Sequence, residues 1–460
     1  MEAQLKREDE EREKETANNI MADRRATERR IEEAFHELEQ MTSLSVKMSS
    51  PEAKLGMRVE DLWDIQQPQL TPTEKLNACF EDIQVSSFPK ASASLVEINS
   101  DSSLAEAVQI LSQHKLLSAP VVDFSAPKDA SWIDRYIGIV EFAGIVAWVL
   151  QQTEADESFD TIPATDSVKK VNGGPALSAA CRIAQGRRFA SLSPRSAAAI
   201  SGNYFGELTS SNLYKTTKVR DIAGSFRWAP FLALQKSNSM LTVLLLLSKY
   251  KMKSVPVVDP GEAKIDNIIT QSAVIHMLAE CAGLHWFENW GNKKLSDLGL
   301  PLMSPKHLIE VCEDEPVLQA FKMMRLKGIG GIPVVERQGR KAIGNVSIRD
   351  IQLLLIAPEI YKDYRSITGK DFLVTARRYR EERHEVLPST SGMVTCTRHV
   401  SLKEVILTLD SKKIHRIYVV DDDGGLQGVI TLRDILSRLV HEPRGYFGDF
   451  FYGYSPNIRG

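Results

Sequence analysis

Four times along the chain a helix-like apolar stretch runs into a short strand that closes on an acidic residue. The four tags are Pro120-Val121-Val122-Asp123, Pro256-Val257-Val258-Asp259, Pro333-Val334-Val335-Glu336 and Tyr418-Val419-Val420-Asp421. After a turn, each tag is followed by a second strand that opens into another helix. A supersecondary unit repeated in one chain constrains the fold strongly, because such units bury their apolar faces by packing on one another. The acidic ends fall at 123, 259, 336 and 421, intervals of 136, 77 and 85 residues. The first interval is long because residues 151–210, rich in Ser, Ala and Gly and without a clear period, intervene. That stretch reads as an insertion of low order. A smaller insertion, residues 124–134, separates two strands of the first unit.

Each unit spells out the same elements. In the first, Leu95–Ile98 reads as a strand, Asp101-Ser102-Ser103 caps a helix through Leu104, Ala107, Val108 and Leu111, and strands at Ser118–Asp123 and Tyr136–Glu141 lead into a helix over Phe142–Leu150. The second has Ser239 capping Leu241–Leu247, strands at Ser254–Asp259 and Asn267–Thr270, and a helix through Leu278. The third runs from Leu308–Val311 through the helix Val317–Leu326 to strands Ile332–Glu336 and Gly344–Ser347. The fourth places a helix at Leu402–Leu409, strands at Arg416–Asp421 and Gly428–Thr431, and a last helix at Ile435–Val440.

Composition narrows the function classes. The net charge of -3 argues against a nucleic-acid binder, which would carry a basic excess. Cys79, Cys181, Cys281, Cys312 and Cys396 lie far apart, with neither a CxxC pair nor a His cluster at ligand spacing, which suits reduced thiols in a cytoplasmic or nuclear setting. The longest apolar runs fall short of the ~18 residues that span a bilayer, so no membrane span is expected. No phosphate-binding GxxxxGKS/T loop, HExxH or nucleophile elbow occurs, and no catalytic constellation is expected. Residues 1–40 hold 13 Asp/Glu and 8 Lys/Arg without Pro or Gly, a solvated helix or a disordered tail; from Ile31 one helical face carries Ile31, Phe35 and Leu38.

The strand–helix–strand–strand–helix unit with this tag resembles the cystathionine-β-synthase (CBS) domain. Four such units without an appended enzyme resemble the gamma subunit of AMP-activated or sucrose-non-fermenting-related protein kinases. Ser225–Leu232, Trp286-Phe287 and Leu295–Pro301 are most similar to its plant-type branch. The aromatics of Ser225–Leu232 equally suit burial at a junction between units. The resemblance covers about residues 75–445. It implies an α/β (α+β) fold of four CBS domains paired into two Bateman modules in a disc-like array, with a helical or disordered N-terminal extension. The expected division is an extension and linker at 1–74, CBS units at 75–150, 211–283, 296–358 and 386–445, the insertion at 151–210, a linker at 359–385 and a tail at 446–460. The implied function is that of a regulatory subunit, not an enzyme. AMP, ADP or ATP would be its regulatory ligands, with no other cofactor, and catalytic (alpha-type) and scaffold (beta-type) kinase subunits its partners. The other reading is an adaptor that assembles kinase subunits without nucleotide regulation.

CBS domains open their last helix with Ser/Thr-x-x-Asp, kept here as Ser347-Ile348-Arg349-Asp350 and Thr431-Leu432-Arg433-Asp434. A carboxylate accepts two hydrogen bonds from a ribose diol, and the hydroxyl and helix N-terminus suit phosphate or ribose oxygens. The same pattern is a capping box, so residue type alone leaves both readings open. The first two units read Glu141-Phe142-Ala143-Gly144 and Thr270-Gln271-Ser272-Ala273 and lack the acid; Thr270 retains a hydroxyl for phosphate. His415-Arg416 stand where the resemblance places phosphate-facing basic residues, with Lys253-Ser254, Gly330-Gly331 and Leu117-Ser118 at the matching positions. The glycine pair suits either close approach of a ligand to the backbone or tight packing.

Overall fold

The computed structural model describes residues 49–90, 95–127, 129–142, 209–223, 232–250, 252–259, 264–303, 305–337, 341–357, 366–383 and 393–448, with a few isolated positions besides. The expected N-terminal face at Ile31, Phe35 and Leu38, the bulk of the 151–210 insertion, most of Ser225–Leu232 and most of the helix Phe142–Leu150 lie outside them.

Each tag forms the middle strand of a three-stranded sheet. Unit one contributes β1 (Ile98–Asn99), β2 (Ser118–Val122) and β3 (Tyr136–Glu141). Unit two has β4 (Leu234–Gln235), β5 (Ser254–Val258) and β6 (Ile265–Thr270). Unit three has β7 (Val311–Cys312), β8 (Gly331–Val335) and β9 (Ala342–Ser347), and unit four has β10 (Thr395–Cys396), β11 (Arg416–Val420) and β12 (Leu426–Thr431). The first strand pairs parallel to the middle one and the third antiparallel. The register shifts once in each antiparallel pair, between the two valines of the tag (Val121/Val122, Val257/Val258, Val334/Val335, Val419/Val420). A bulge of this kind bends the strand and strengthens its twist. First strands are only two residues long, shorter than the apolar runs at Leu95–Ile98 and Leu308–Val311 suggest. The tag acids close the turn beyond the strand: Asp123 accepts from the Ser125 N–H at 2.9 Å, and Asp421 from the Gly425 N–H at 2.6 Å.

The helices start where their caps dictate. Ser103, Ser239 and Ser401 accept from the N–H groups of Glu106, Thr242 and Glu404, opening Leu104–Gln113, Met240–Ser248 and Leu402–Ser411. Unit three has Pro316 at this place and no side-chain cap on Val317–Lys327.

Four apolar clusters join the units in two directions. Val122 and Tyr136 meet Val258 and Ile265 between the sheets of units one and two. Val335 meets Tyr418 and Leu426 between those of units three and four. The helices join the pairs: Leu104, Leu111 and Ile145 share one core with Phe321 and Leu353, and Leu241, Leu244 and Leu278 share the other with Leu402, Ile406 and Leu436. Burying one such side chain contributes about 1.5–3 kcal/mol.

Connecting segments complete units other than the one they lead into. Ile83, which the sequence division puts in unit one but which lies ahead of β1, accepts from the Met240 N–H of unit two at 2.7 Å. Thr217, which follows unit one, accepts from Leu104 of unit one at 3.0 Å. Lys293 precedes unit three but accepts from Leu402 of unit four at 3.0 Å, and Ile367 accepts from Val317 of unit three at 2.9 Å. Within residues 42–74, which read as linker, the chain forms a helix at Pro51–Asp64 capped by Ser50; it buries Leu55, Val59 and Trp63. The Trp286 indole donates to Gly56 O at 3.0 Å, and the Glu60 carboxylate accepts from the N–H groups of His285 and Trp286. Trp286, Phe287 and Trp290, part of the plant-type resemblance or next to it, are thus core.

Candidate functional site

Strand register brings the four matching positions into equivalent places. Ser118 pairs with Glu141, Ser254 with Thr270, Gly331 with Ser347 and Arg416 with Thr431. The residue before each first member, Leu117, Lys253, Gly330 or His415, offers its carbonyl to the N–H just after the third strand, on Phe142, Gln271, Ile348 or Leu432. The alignment of basic and glycine positions made on sequence is therefore the structural one.

Residues at these places meet across the boundaries between units. The Arg416 guanidinium occupies the space above the glycines of unit three: a Cβ on Gly331 would lie 1.6 Å from Arg416 Nη1, and one on Gly330 3.1 Å from Nη2. The glycine pair therefore serves tight packing against Arg416. Lys253 of unit two reaches Glu141 of unit one at 3.5 Å. His415 is half-buried, and its pKa is pushed down to about 4, first by burial and then by the positive charges of Arg349, Arg416 and Lys253. Burial also lowers the pKa of Arg349; the nearby Asp350 carboxylate opposes that shift, and the Arg380 charge adds to it. Among the described residues no hydrogen bond or ion pair to the side chain of Arg349 or His415 occurs within the protein. Two nitrogen-bearing side chains half-removed from water, with no hydrogen-bonding partner among the described residues, make a place that an anion would stabilise.

The two motif carboxylates differ. In unit four, Asp434 Oδ2 accepts from the Thr431 N–H and hydroxyl, each at 2.7 Å, while Thr431 Oγ1 accepts from the Asp434 N–H at 3.4 Å. This is a capping box, and among the described residues it leaves Oδ1 without a protein donor. In unit three, Asp350 Oδ2 likewise accepts from the Ser347 N–H at 2.7 Å and hydroxyl at 2.6 Å, but Oδ1 accepts from Arg380 Nη2 at 2.6 Å. Both members of that ion pair are buried. Among the described residues, no donor reaches Oδ1 of Asp434, whereas Oδ1 of Asp350 is engaged by Arg380.

Thr270 in unit two caps its own helix by accepting from the Ala273 N–H at 3.0 Å, and the adjoining Gln271 amide donates to the carbonyls of Leu247 and Met252. Lys253, His415 and Arg416 come together; Ser347 and Asp350 form a closed box, and Thr431 and Asp434 an open one. The motif reading passed over Arg349, although an arginine recurs at the same place as Arg433, and that repetition was the available signal. Elsewhere, a polar groove of about 500 Å3 on unit one is lined by residues that include Asn99, Asp101, Glu106 and Gln109. Among the described residues there is no grouping of three or more His, Cys, Asp or Glu suited to a metal ion, and no helix is long and apolar enough to cross a membrane.

The CBS domain family matches residues 296–356 and 385–441, the third and fourth units. The chain is 64% identical over 411 residues, 89% of its own length and 94% of the relative's, to the SNF1-related protein kinase regulatory subunit gamma-1 of Arabidopsis thaliana. It belongs to the gamma regulatory subunits of SNF1-related protein kinases. Among more distant gamma subunits, the human 5'-AMP-activated protein kinase subunit gamma-3 is 27% identical over 224 residues, 49% of this chain and 42% of that one. The fold is shared with a Methanocaldococcus jannaschii protein described as a candidate archaeal homolog of g-AMPK, with a TM-score of 0.52 at 15% identity over 77% of this chain and 99% of that one. The gamma family places this chain among regulatory rather than catalytic subunits, and its four units are the array expected from the repeat.

Proposed function

We propose that this gamma-type subunit binds an adenine nucleotide, AMP, ADP or ATP, chiefly at the fourth unit, and that occupancy biases how the catalytic (alpha-type) and scaffold (beta-type) kinase subunits dock on it. The observation that carries the reading is the pair Arg349 and His415, half-buried and, among the described residues, without a hydrogen-bond or ion-pair partner, beside the positive charges of Arg416 and Lys253. Phosphate oxygens placed there would neutralise the cluster, and Arg416 offers a planar fork of donors matched to phosphate. The open Oδ1 of Asp434 would take both hydroxyls of a ribose diol. A ligand shifts a docking equilibrium only through different affinities for the two states, so nucleotide and partner binding must be reciprocally linked.

The test is calorimetric titration of the full chain with AMP, ADP and ATP, followed by the same titrations in complex with the kinase subunits. The expected result is binding that weakens at least tenfold in Arg349→Gln/His415→Gln, together with partner affinity that changes when nucleotide is present. Binding that is indifferent to both substitutions would remove the site. Partner affinity that stays the same with and without nucleotide would leave an adaptor whose pockets regulate nothing.

A further inference from the structure

The C-terminal pair of units carries two copies of the Ser/Thr-x-x-Asp motif, yet the fold treats them differently, and the difference comes from one residue far away in sequence. Arg380 lies near the end of the helix Gly369–Glu382, in the connection between units three and four. That helix is held against unit three by Phe372 stacking edge-on with Phe321 and by Leu373 lying on Gly344, where an added Cβ would come within 2.4 Å of Leu373 Cδ1. Packed this way, it delivers the Arg380 guanidinium to Asp350 Oδ1 at 2.6 Å, with the Arg380 and Asp350 side chains only 5% and 7% exposed.

A carboxylate has about four acceptor positions. In Asp350 the Ser347 box takes two and Arg380 a third, in a place closed to water. In Asp434 the matching box takes two, and among the described residues no arginine bonds to it. A ribose diol needs two acceptor positions and a path to them; Asp434 supplies both, and Asp350 neither.

We infer that Arg380 is a built-in occupant of the third unit's ribose position, a specificity-determining residue that limits the C-terminal pair to one nucleotide, held at Asp434. The inference rests on the nucleotide reading above. It assigns opposite roles to two acids that are equivalent in sequence: Asp434 binds ligand, and Asp350 is structural, neutralising Arg380.

The experiment is titration of the full chain with AMP, comparing wild type with Asp434→Ala, Asp350→Asn, Arg380→Gln and the Asp350→Asn/Arg380→Gln double variant, each checked for folding by circular dichroism. Asp434→Ala is expected to weaken AMP binding at least tenfold. Asp350→Asn should keep both stoichiometry and Kd within about twofold. Arg380→Gln should gain one equivalent of AMP, which the double variant loses again. Loss of an AMP equivalent in Asp350→Asn would overturn the role of Arg380 while leaving the nucleotide reading intact. Wild type that takes up no AMP would remove both. Removing one partner of a buried pair strands the other charge; if these variants do not fold, a structure of the wild-type chain with AMP decides. Arg380 still on Asp350 would support the inference, and ribose on Asp350 would overturn it.

Discussion

The guanidinium of Arg416 fills the space that a side chain on residue 331 would need, so Gly331 and Arg416 are complementary across the boundary between units three and four. Gly331→Ala is therefore expected to push Arg416 from its place. Overpacking of this kind costs about 1–3 kcal/mol, measurable by urea denaturation. Because Arg416 belongs to the cationic cluster, the same variant should also weaken AMP binding; an unchanged affinity would show that Arg416 does not face the ligand.

His415 makes stability depend on pH. Its folded pKa, about 4, lies below its ordinary 6.5. Between those values the unfolded chain binds a proton that the folded chain refuses, so stability is full above about pH 6.5 and falls as pH drops toward 4. At ~1.4 kcal/mol per pKa unit the loss from about pH 7 to about pH 5 is roughly 2 kcal/mol at most. His415→Gln should remove that part of the slope in denaturant titrations. Nucleotide phosphate beside the imidazole favours its charged form, so AMP affinity should rise as pH falls toward 6.

Capping and ligand binding can be told apart by comparing two boxes. Ser401→Ala removes a helix cap in unit four away from the cluster, at a cost of about 0.5–2 kcal/mol. Asp434→Ala removes the reciprocal half of the Thr431 box and is expected to cost a similar amount. Ser401→Ala should leave AMP affinity within about twofold, whereas Asp434→Ala should lose it. Equal affinities in the two variants would reduce the Thr431 box to a cap.

Gly56→Val tests the docking of the helix Pro51–Asp64. A Cβ at residue 56 would meet Cys281 Sγ at 2.3 Å and Leu284 Cδ1 at 2.9 Å, and the Trp286 indole bonds to the carbonyl of the same residue. The expected cost is about 1–3 kcal/mol, with faster proteolysis around residues 51–64. Unchanged protease sensitivity would count against tight docking of this helix.

What could be read from the sequence divides along the range of the interaction. Ser103 and Ser239 were legible as caps because a cap bonds within three residues of itself, and the tags were legible because a middle strand buried on both sides must be apolar. The matching of His415-Arg416 with Gly330-Gly331 followed from the repeat and is borne out by strand register. The Asp350–Arg380 pair was not legible, since thirty residues separate its members and tertiary packing, of Phe372 on Phe321 and Leu373 on Gly344, brings them together. Pro51–Asp64 did carry a signal: Ser50-Pro51 is a helix start, and Leu55, Val59 and Trp63 recur every four residues. Its polar remainder made it read as linker. The two motif acids looked alike because a capping box is written in four residues, whereas the remaining valence of the carboxylate is set by whatever the rest of the chain brings to it.

The cross-over of the connecting segments sets an order on synthesis. Residues 51–85 leave the ribosome well before their partners: the Met240 N–H that closes on Ile83 is more than 150 residues behind. At ~5–20 residues per second, that segment waits on the order of ten to thirty seconds for its seat. The segment 51–85 is thus among the later parts of the described fold to settle, and a nascent chain halted after unit one would expose Leu55, Val59, Trp63 and Phe80 together, a natural handle for chaperones.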